Sequence, residues 1–335
     1  MGGDIVCSMW RHIEAHRNDA PLRKQSNNEG SEIILRPYQF CNLSTVVVRS
    51  DDTVERLAEK VALATILGTF QSTMTNFPYL RKVWQNNTEA ERLLGVSMTG
   101  ILDNVLLNNP DDESLPTLLE KFRSVAVETN KQYAEALGIP QSAAITCVKP
   151  EGTASQLAGT ASGIHPQHSR HYIRRVRSDN KDPLTAFLKQ SSFHAEPCVM
   201  KPDSTTVFSF PMKCADDAVV RDDMTAIQHL RLWLLYQRHW CEHKPSVTIS
   251  VKEEEWPEVG AWVWKHFDEI TGVSFLPHDG GTYRQAPYEE INAEQYEALV
   301  KQLPKDIAWH TFIENTDNVE GAQMLACTAG VCEMP

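Results

Sequence analysis

Residues 28–42 read NEGSEIILRPYQFCN, and the rest of the chain takes its meaning from this stretch. Glu32 stands directly before the apolar run Ile33, Ile34 and Leu35, which Arg36 and Pro37 break. Cys41 follows the aromatic residues Tyr38 and Phe40. A carboxylate and a thiol therefore flank one short segment of buried character. Burying either group without a hydrogen-bond partner costs free energy, so each needs a partner or a chemical task. Two readings are open at this point. One is an edge strand entered by a surface Glu and closed by a Cys packed as a small hydrophobe. The other is a pair of reacting groups.

Working outward, the β-branched run at 44–49 predicts a strand, and Asp52 with Glu55 has the form of a capping box opening a helix that carries Val54, Leu57, Val61 and Ala64. Further helices are expected at 79–94, at 115–137 with Pro116 in the first turn and Gly138 as the stop, at 223–241, and at 256–270 behind Trp256 and Pro257. Extended segments are expected at 33–36, 95–104, 142–148, 205–210, 246–251 and 272–277. Strands alternating with crossover helices predict an α/β fold with parallel strands. Behind the strand at 142–148 comes PEGTASQLAG, a small-residue turn leading into a helix, which is an arrangement suited to holding phosphate.

The totals narrow the function classes. A chain of 335 residues with 41% hydrophobic and 23% charged residues is that of an ordinary globular protein, and no apolar run reaches the length of a membrane span. The beginning lacks the pattern of a secretory signal. A net charge of −12 argues against a nucleic-acid surface, which draws on clustered Lys and Arg. The one basic cluster, Arg170, Arg174, Arg175 and Arg177, is local and suits a small phosphorylated ligand. Eight cysteines are too sparse for a disulfide framework, so a reducing, cytoplasmic setting is expected.

Other motifs are weaker. His165, His168 and His171, and separately His239 and His243 around Cys241, have zinc-compatible spacing, but turn and helix-end roles explain both groups, and no metal site is assigned. A Walker loop, a Gly-x-Ser-x-Gly elbow and a Gly-x-Gly-x-x-Gly fingerprint are absent. Cys327 and Cys332, in CTAGVC on a Gly-containing tail, can close a disulfide without straining a fold and can meet both an internal disulfide and an external reductant.

Together SEIILRPYQFCNL, KPEGTASQLAGTASGIHP with the following HYIRRVR, SFLPHDGGTYRQAPYEEI and the terminal CTAGVC resemble the adenosylcobalamin-dependent (class II) ribonucleotide reductases, most nearly the type acting on ribonucleoside triphosphates. The resemblance covers roughly residues 31–335 and implies the C-terminal part of a ten-stranded α/β barrel. It divides the chain into an unassigned segment at 1–27, a partial catalytic barrel at 28–313 and a flexible redox tail at 314–335. In the family, adenosylcobalamin generates a thiyl radical on a finger-loop cysteine that abstracts the substrate 3′ hydrogen. By resemblance Glu32 is the base for the 3′ hydroxyl, Asn28 holds the ribose, and Cys41 is one of two reducing thiols. Glu151, Gly152, Thr153, Ala154 and Ser155 form the turn that receives substrate phosphates. Cys327 and Cys332 are the shuttle that thioredoxin, or a similar dithiol, reduces.

One departure is chemical. The place of the radical cysteine, between Asn28 and Glu32, is held by Gly30, which has no thiol. The chain alone is therefore expected not to turn over. A separate chain supplying the N-terminal half, a diphosphate-reducing member and a non-catalytic nucleotide-binding remnant remain as alternatives.

Overall fold

The computed structural model describes residues 32–278 and 284–313. These form two compact units, one comprising 32–166, 217–219 and 223–278, the other 167–216, 220–222 and 284–313. Among the described residues no helix is long and apolar enough to cross a membrane.

The first unit is built on parallel strands. β1 (Asn42–Val47) pairs with β2 (Leu94–Thr99), and β6 (Ser246–Val251) pairs with β7 (Gly272–Pro277), both parallel. The extended segment 144–148 joins the two pairs through parallel bridges from Thr146 to Val96 and from Val148 to Pro245. Each connection carries a helix: α1 (Val54–Gln71) and α2 (Lys82–Glu91) before β2, α3 (Leu115–Leu137) before the bridging segment, α6 (Ala226–His239) before β6, and α7 (Trp256–Lys265) before β7. Parallel neighbours require such crossovers.

One strand face packs on the helices. Val46, Val96, Met98, Ile145, Val148, Val247, Ile249 and Val273 join Leu57, Val61, Leu119, Phe122, Leu230 and Trp233 in a single apolar core. In β6 the buried residues alternate with half-buried Ser246, Thr248 and Ser250. β2 is buried on both faces, and its second face presents Gly95, Ser97 and Thr99. That second face positions the candidate site.

Some helix ends follow the sequence and others are corrected: the helix expected to run to 270 stops at Lys265, and those expected at 79–94 and 223–241 are shorter at both ends. Pro116 lies in the first turn of α3, and Gly138 closes it with φ +65. The cap of α1 is Thr53, whose hydroxyl accepts the Arg56 amide, and not Asp52. Asp52 is buried and already occupied: it accepts the Arg49 amide at 2.8 Å and the Lys60 ammonium at 2.5 Å. Residues 33–36 form no strand. Their neighbourhood is fixed by single long-range bonds instead, with the Glu32 carbonyl accepting the Lys244 amide at 3.0 Å.

The second unit is an antiparallel sheet in the order β4 (Ala195–Pro197), β5 (Thr205–Lys213), β3 (His171–Asp179), β8 (Tyr288–Glu290), with α5 (Pro183–Gln190) and α8 (Ala293–Gln302). The arginine cluster lies on and just before β3, where it is used structurally. Arg174, Arg175 and Arg177 donate to the carbonyls of Pro287, Ala286 and Gln285, Arg175 pairs with Glu289, and Arg170 donates to the Asp216 carbonyl. These guanidinium groups hold the 285–289 segment, so the small-ligand reading of the cluster is not supported.

Candidate functional site

The second face of β2 fastens the turn that follows the bridging segment. Ser97 Oγ accepts the Lys149 amide at 2.9 Å. Thr99 donates from its hydroxyl to the Ala161 carbonyl and accepts the Gly163 amide at 3.1 Å. Gly163 has φ +55, and a Cβ there would lie 2.4 Å from the Lys149 carbonyl oxygen, so only glycine lets residues 149 and 163 approach this closely.

Within the turn, Glu151 is a non-glycine residue at φ +56, and its Oε1 accepts the Thr45 hydroxyl from β1 at 2.8 Å. The amides of Gly152, Thr153 and Ala154 reach no protein acceptor among the described residues, whereas those of Ser155, Gln156 and Leu157 bond back to Glu151 and Thr153. Ser155 is fully buried and its hydroxyl has no partner. α4 (Ala154–Ala158) then ends at Gly159.

Glu32 is 6% exposed. Its Oε1 lies 3.4 Å from Lys149 Nζ, while Oε2 is buried with no hydrogen-bond partner among the described residues. Glu32 also lines a cavity of about 360 Å³ together with Ile34, Glu242, His243 and Lys244. Cys41 ends the opening stretch against β2: a Cβ on Gly95 would stand 2.8 Å from Ile33 Cδ1 and 3.5 Å from Cys41 Sγ. Burial pushes the Cys41 thiol up to about 12, with the Lys149 ammonium pulling down and the Glu32 carboxylate pushing up. Cys147, wholly buried, is also raised, chiefly by burial.

The structure thus brings Glu32, Cys41 and the 151–155 turn into one unit through Lys149, Thr45 and β2. Asn28, Gly30, Cys327 and Cys332 lie outside the described residues. Sequence reasoning missed Lys149, although it opens the quoted KPEGT motif directly before the turn.

The histidine strings do not converge. His165 donates from Nδ1 to the Ser162 carbonyl and accepts the Thr248 amide at Nε2, which fixes a neutral tautomer. His239 meets Glu120, and His243 Nε2 lies 2.8 Å from the Leu94 carbonyl. Missed altogether was His229, fully enclosed against the Ile164 carbonyl with its pKa lowered to about 3, first by burial and then by His165.

The fold is similar to that of a class II ribonucleotide reductase. A crystal structure of a B12-dependent (class II) ribonucleotide reductase superposes with TM-score 0.72 at 23% identity, over 85% of this chain and 43% of that one. The fold class expected from the sequence, part of the α/β barrel of that enzyme class, is the one observed. The curated relatives are more specific. The chain is 29% identical over 315 residues to an adenosylcobalamin-dependent ribonucleoside-triphosphate reductase of Euglena gracilis, covering 92% of this chain and 42% of the relative. It is 26% identical over 360 residues to the enzyme of the same name from Lactobacillus acidophilus, covering 98% of this chain and 48% of the relative. The resemblance read from the sequence therefore stands, and the chain spans about half the length of the curated relatives it matches. No family-level sequence profile matches it.

Proposed function

We propose that this chain is the portion of an adenosylcobalamin-dependent ribonucleoside-triphosphate reductase that carries the base carboxylate, one reducing thiol and the phosphate turn, acting in the cytoplasm. The observation that supports this most directly is the Glu32 carboxylate, buried yet with Oε2 unpartnered. A buried acceptor left open in this way is matched by a ligand hydroxyl, because an orphan carboxylate oxygen is otherwise costly. As base, Glu32 accepts the 3′ hydroxyl proton of the ribose.

The open amides of Gly152, Thr153 and Ala154 supply donors for phosphate oxygens, with the Ser155 hydroxyl beside them. Cys41 supplies one reducing thiol. Asn28 is assigned to the ribose, and Cys327 and Cys332 to the exchange with thioredoxin or a similar dithiol. The cofactor, when bound to the complete enzyme, supplies the radical that starts the reaction. A cavity of about 360 Å³ is at the lower end for small-molecule sites and does not fit a corrinoid, so no step assigned to these residues runs through it.

Among the described residues β1 pairs only with β2, and β7 only with β6. Edges left open in this way favour a separate chain that completes the barrel and contributes the radical thiol that Gly30 lacks. Calorimetric titration with a ribonucleoside triphosphate tests the reading. Saturable heat is expected, and loss of it in Gly152→Asp, which adds a second anion to the phosphate turn where a side chain meets no neighbour, supports the site; absence of any binding to the native chain overturns it. Incubation with adenosylcobalamin and a dithiol is expected to give no deoxynucleotide from this chain alone, and its formation would show that another thiol replaces residue 30.

A further inference from the structure

We propose that Lys149 is a positioning residue of this site, a counter-ion shared by the Glu32 carboxylate and the Cys41 sulfur. The idea deepens the reductase reading by adding to it a residue that the motif comparison left without a role.

Three observations place Lys149 there. Its backbone is pinned at both ends of the peptide unit: the amide donates to Ser97 Oγ at 2.9 Å, and the carbonyl is closely approached by Gly163. Its ammonium is therefore aimed from a fixed root, and it reaches Glu32 Oε1 at 3.4 Å. The Ile33 side chain, next to Glu32 in the chain, and the Cys41 sulfur converge on the bare backbone of Gly95, which brings the thiol to the same side of β2. The same two charges act on Cys41 with opposite sign, Lys149 favouring the thiolate and Glu32 opposing it.

Glu242 accepts the Ile145 amide at 2.9 Å, His243 sits against the Leu94 carbonyl, and Lys244 gives its backbone amide to the Glu32 carbonyl. One cation next to two potential anions holds one negative charge well and two badly. When the Cys41 thiol gives up its proton and Glu32 takes one up, an S–H bond is lost, an O–H bond is gained, and the net charge of the trio is unchanged. Lys149 then changes partner. The charge on the carboxylate is thereby coupled to that on the thiol that must reduce the substrate, since both draw on the same ammonium.

The test uses the full chain and needs no turnover. Alkylation by iodoacetamide at pH 8 is followed at the Cys41 peptide by mass spectrometry, with the Cys198 peptide as internal reference. Lys149→Gln is expected to slow Cys41 by roughly tenfold, the change for about one pKa unit, and Lys149→Arg to keep it within about threefold of native. Glu32→Gln is expected to accelerate it, by about threefold. Loosened packing would speed alkylation in every variant, so opposite signs for K149Q and E32Q cannot arise from it. An unchanged or faster Cys41 in K149Q, or an unchanged or slower one in E32Q, overturns the proposal. If circular dichroism shows K149Q unfolded, Lys149→Met against E32Q decides by the same opposite signs. Triphosphate titration of the native chain separates the two claims: no binding with the alkylation pattern intact removes the reductase reading alone, and binding without the pattern removes Lys149 alone.

Discussion

Thr45 in the middle of β1 and Glu151 in the turn beyond the bridging segment are joined by a 2.8 Å hydrogen bond, hydroxyl to carboxylate. The bond ties the turn to β1, but it also leaves an anion within a turn assigned to phosphate. At solvent-like screening a like charge at contact distance opposes binding by about 1 kcal/mol.

Glu151→Gln keeps an acceptor for Thr45 and removes that charge. Triphosphate binding by calorimetry is expected to tighten about fivefold in E151Q, corresponding to that 1 kcal/mol. Unchanged or weaker binding would place the phosphates elsewhere.

His229 makes stability depend on pH. In the folded protein its pKa is lowered from 6.5 to about 3, and that of His165, also enclosed, is lowered as well, both chiefly by burial. A neutral buried imidazole contributes stability that is fully present above pH 6.5. It is lost as pH falls toward 3, because the unfolded chain takes up the proton first. Urea unfolding at pH 7 and pH 5 is expected to show the native protein losing about 2 kcal/mol more over that interval than His229→Gln. Equal losses would mean that His229 is accessible to protons in the fold.

Two glycines predict graded damage. Gly163→Ala brings a Cβ to 2.4 Å from the Lys149 backbone oxygen at φ +55, where neither backbone yields easily, and is expected to destabilise by about 3 kcal/mol. Gly95→Ala meets the ends of the Leu43 and Ile33 side chains, at 2.7 and 2.8 Å, and is expected to cost about 1–2 kcal/mol as those side chains shift. Thermal melts that reverse this order would contradict the close approach of residues 149 and 163.

Trp240 donates from its indole to the Cys147 carbonyl at 2.8 Å in a fully buried setting, and its own carbonyl accepts the Thr146 hydroxyl. Trp240→Phe keeps most of the packing and removes the donor. Chemical denaturation is expected to show a loss of about 1–3 kcal/mol, the penalty for an unsatisfied buried carbonyl together with some lost volume. A loss below about 0.5 kcal/mol would mean that another donor takes over.

The sequence announced the elements whose signal is local. α3 has its proline at the start and its glycine at the end, and β6 alternates in burial as its residues alternate in character. Residues 33–36 look extended by composition, but they join no ladder: the Arg36 amide turns to the Gln39 side chain, and the distant bond in this region is the one at the Glu32 carbonyl. β3 went unrecognised because its arginines suggested a ligand, while their real partners are carbonyls more than a hundred residues away. At the site, Glu32, Cys41 and the turn were legible as motifs. Lys149 and His229 were not, because a lysine and a histidine acquire these roles only when tertiary packing brings a carboxylate or a second imidazole beside them.

The bridging segment 144–148 also governs how the first unit can assemble. It has no local partner: Thr146 pairs with Val96, made earlier, and Val148 with Pro245, so the second bridge cannot form until chain about a hundred residues downstream has arrived. Such non-local pairing makes for slow folding. Completion of the segment must therefore wait for residues near 245, and a nascent chain that stops short of them has made Glu32, Cys41 and the turn without the second of the two bridges beside them.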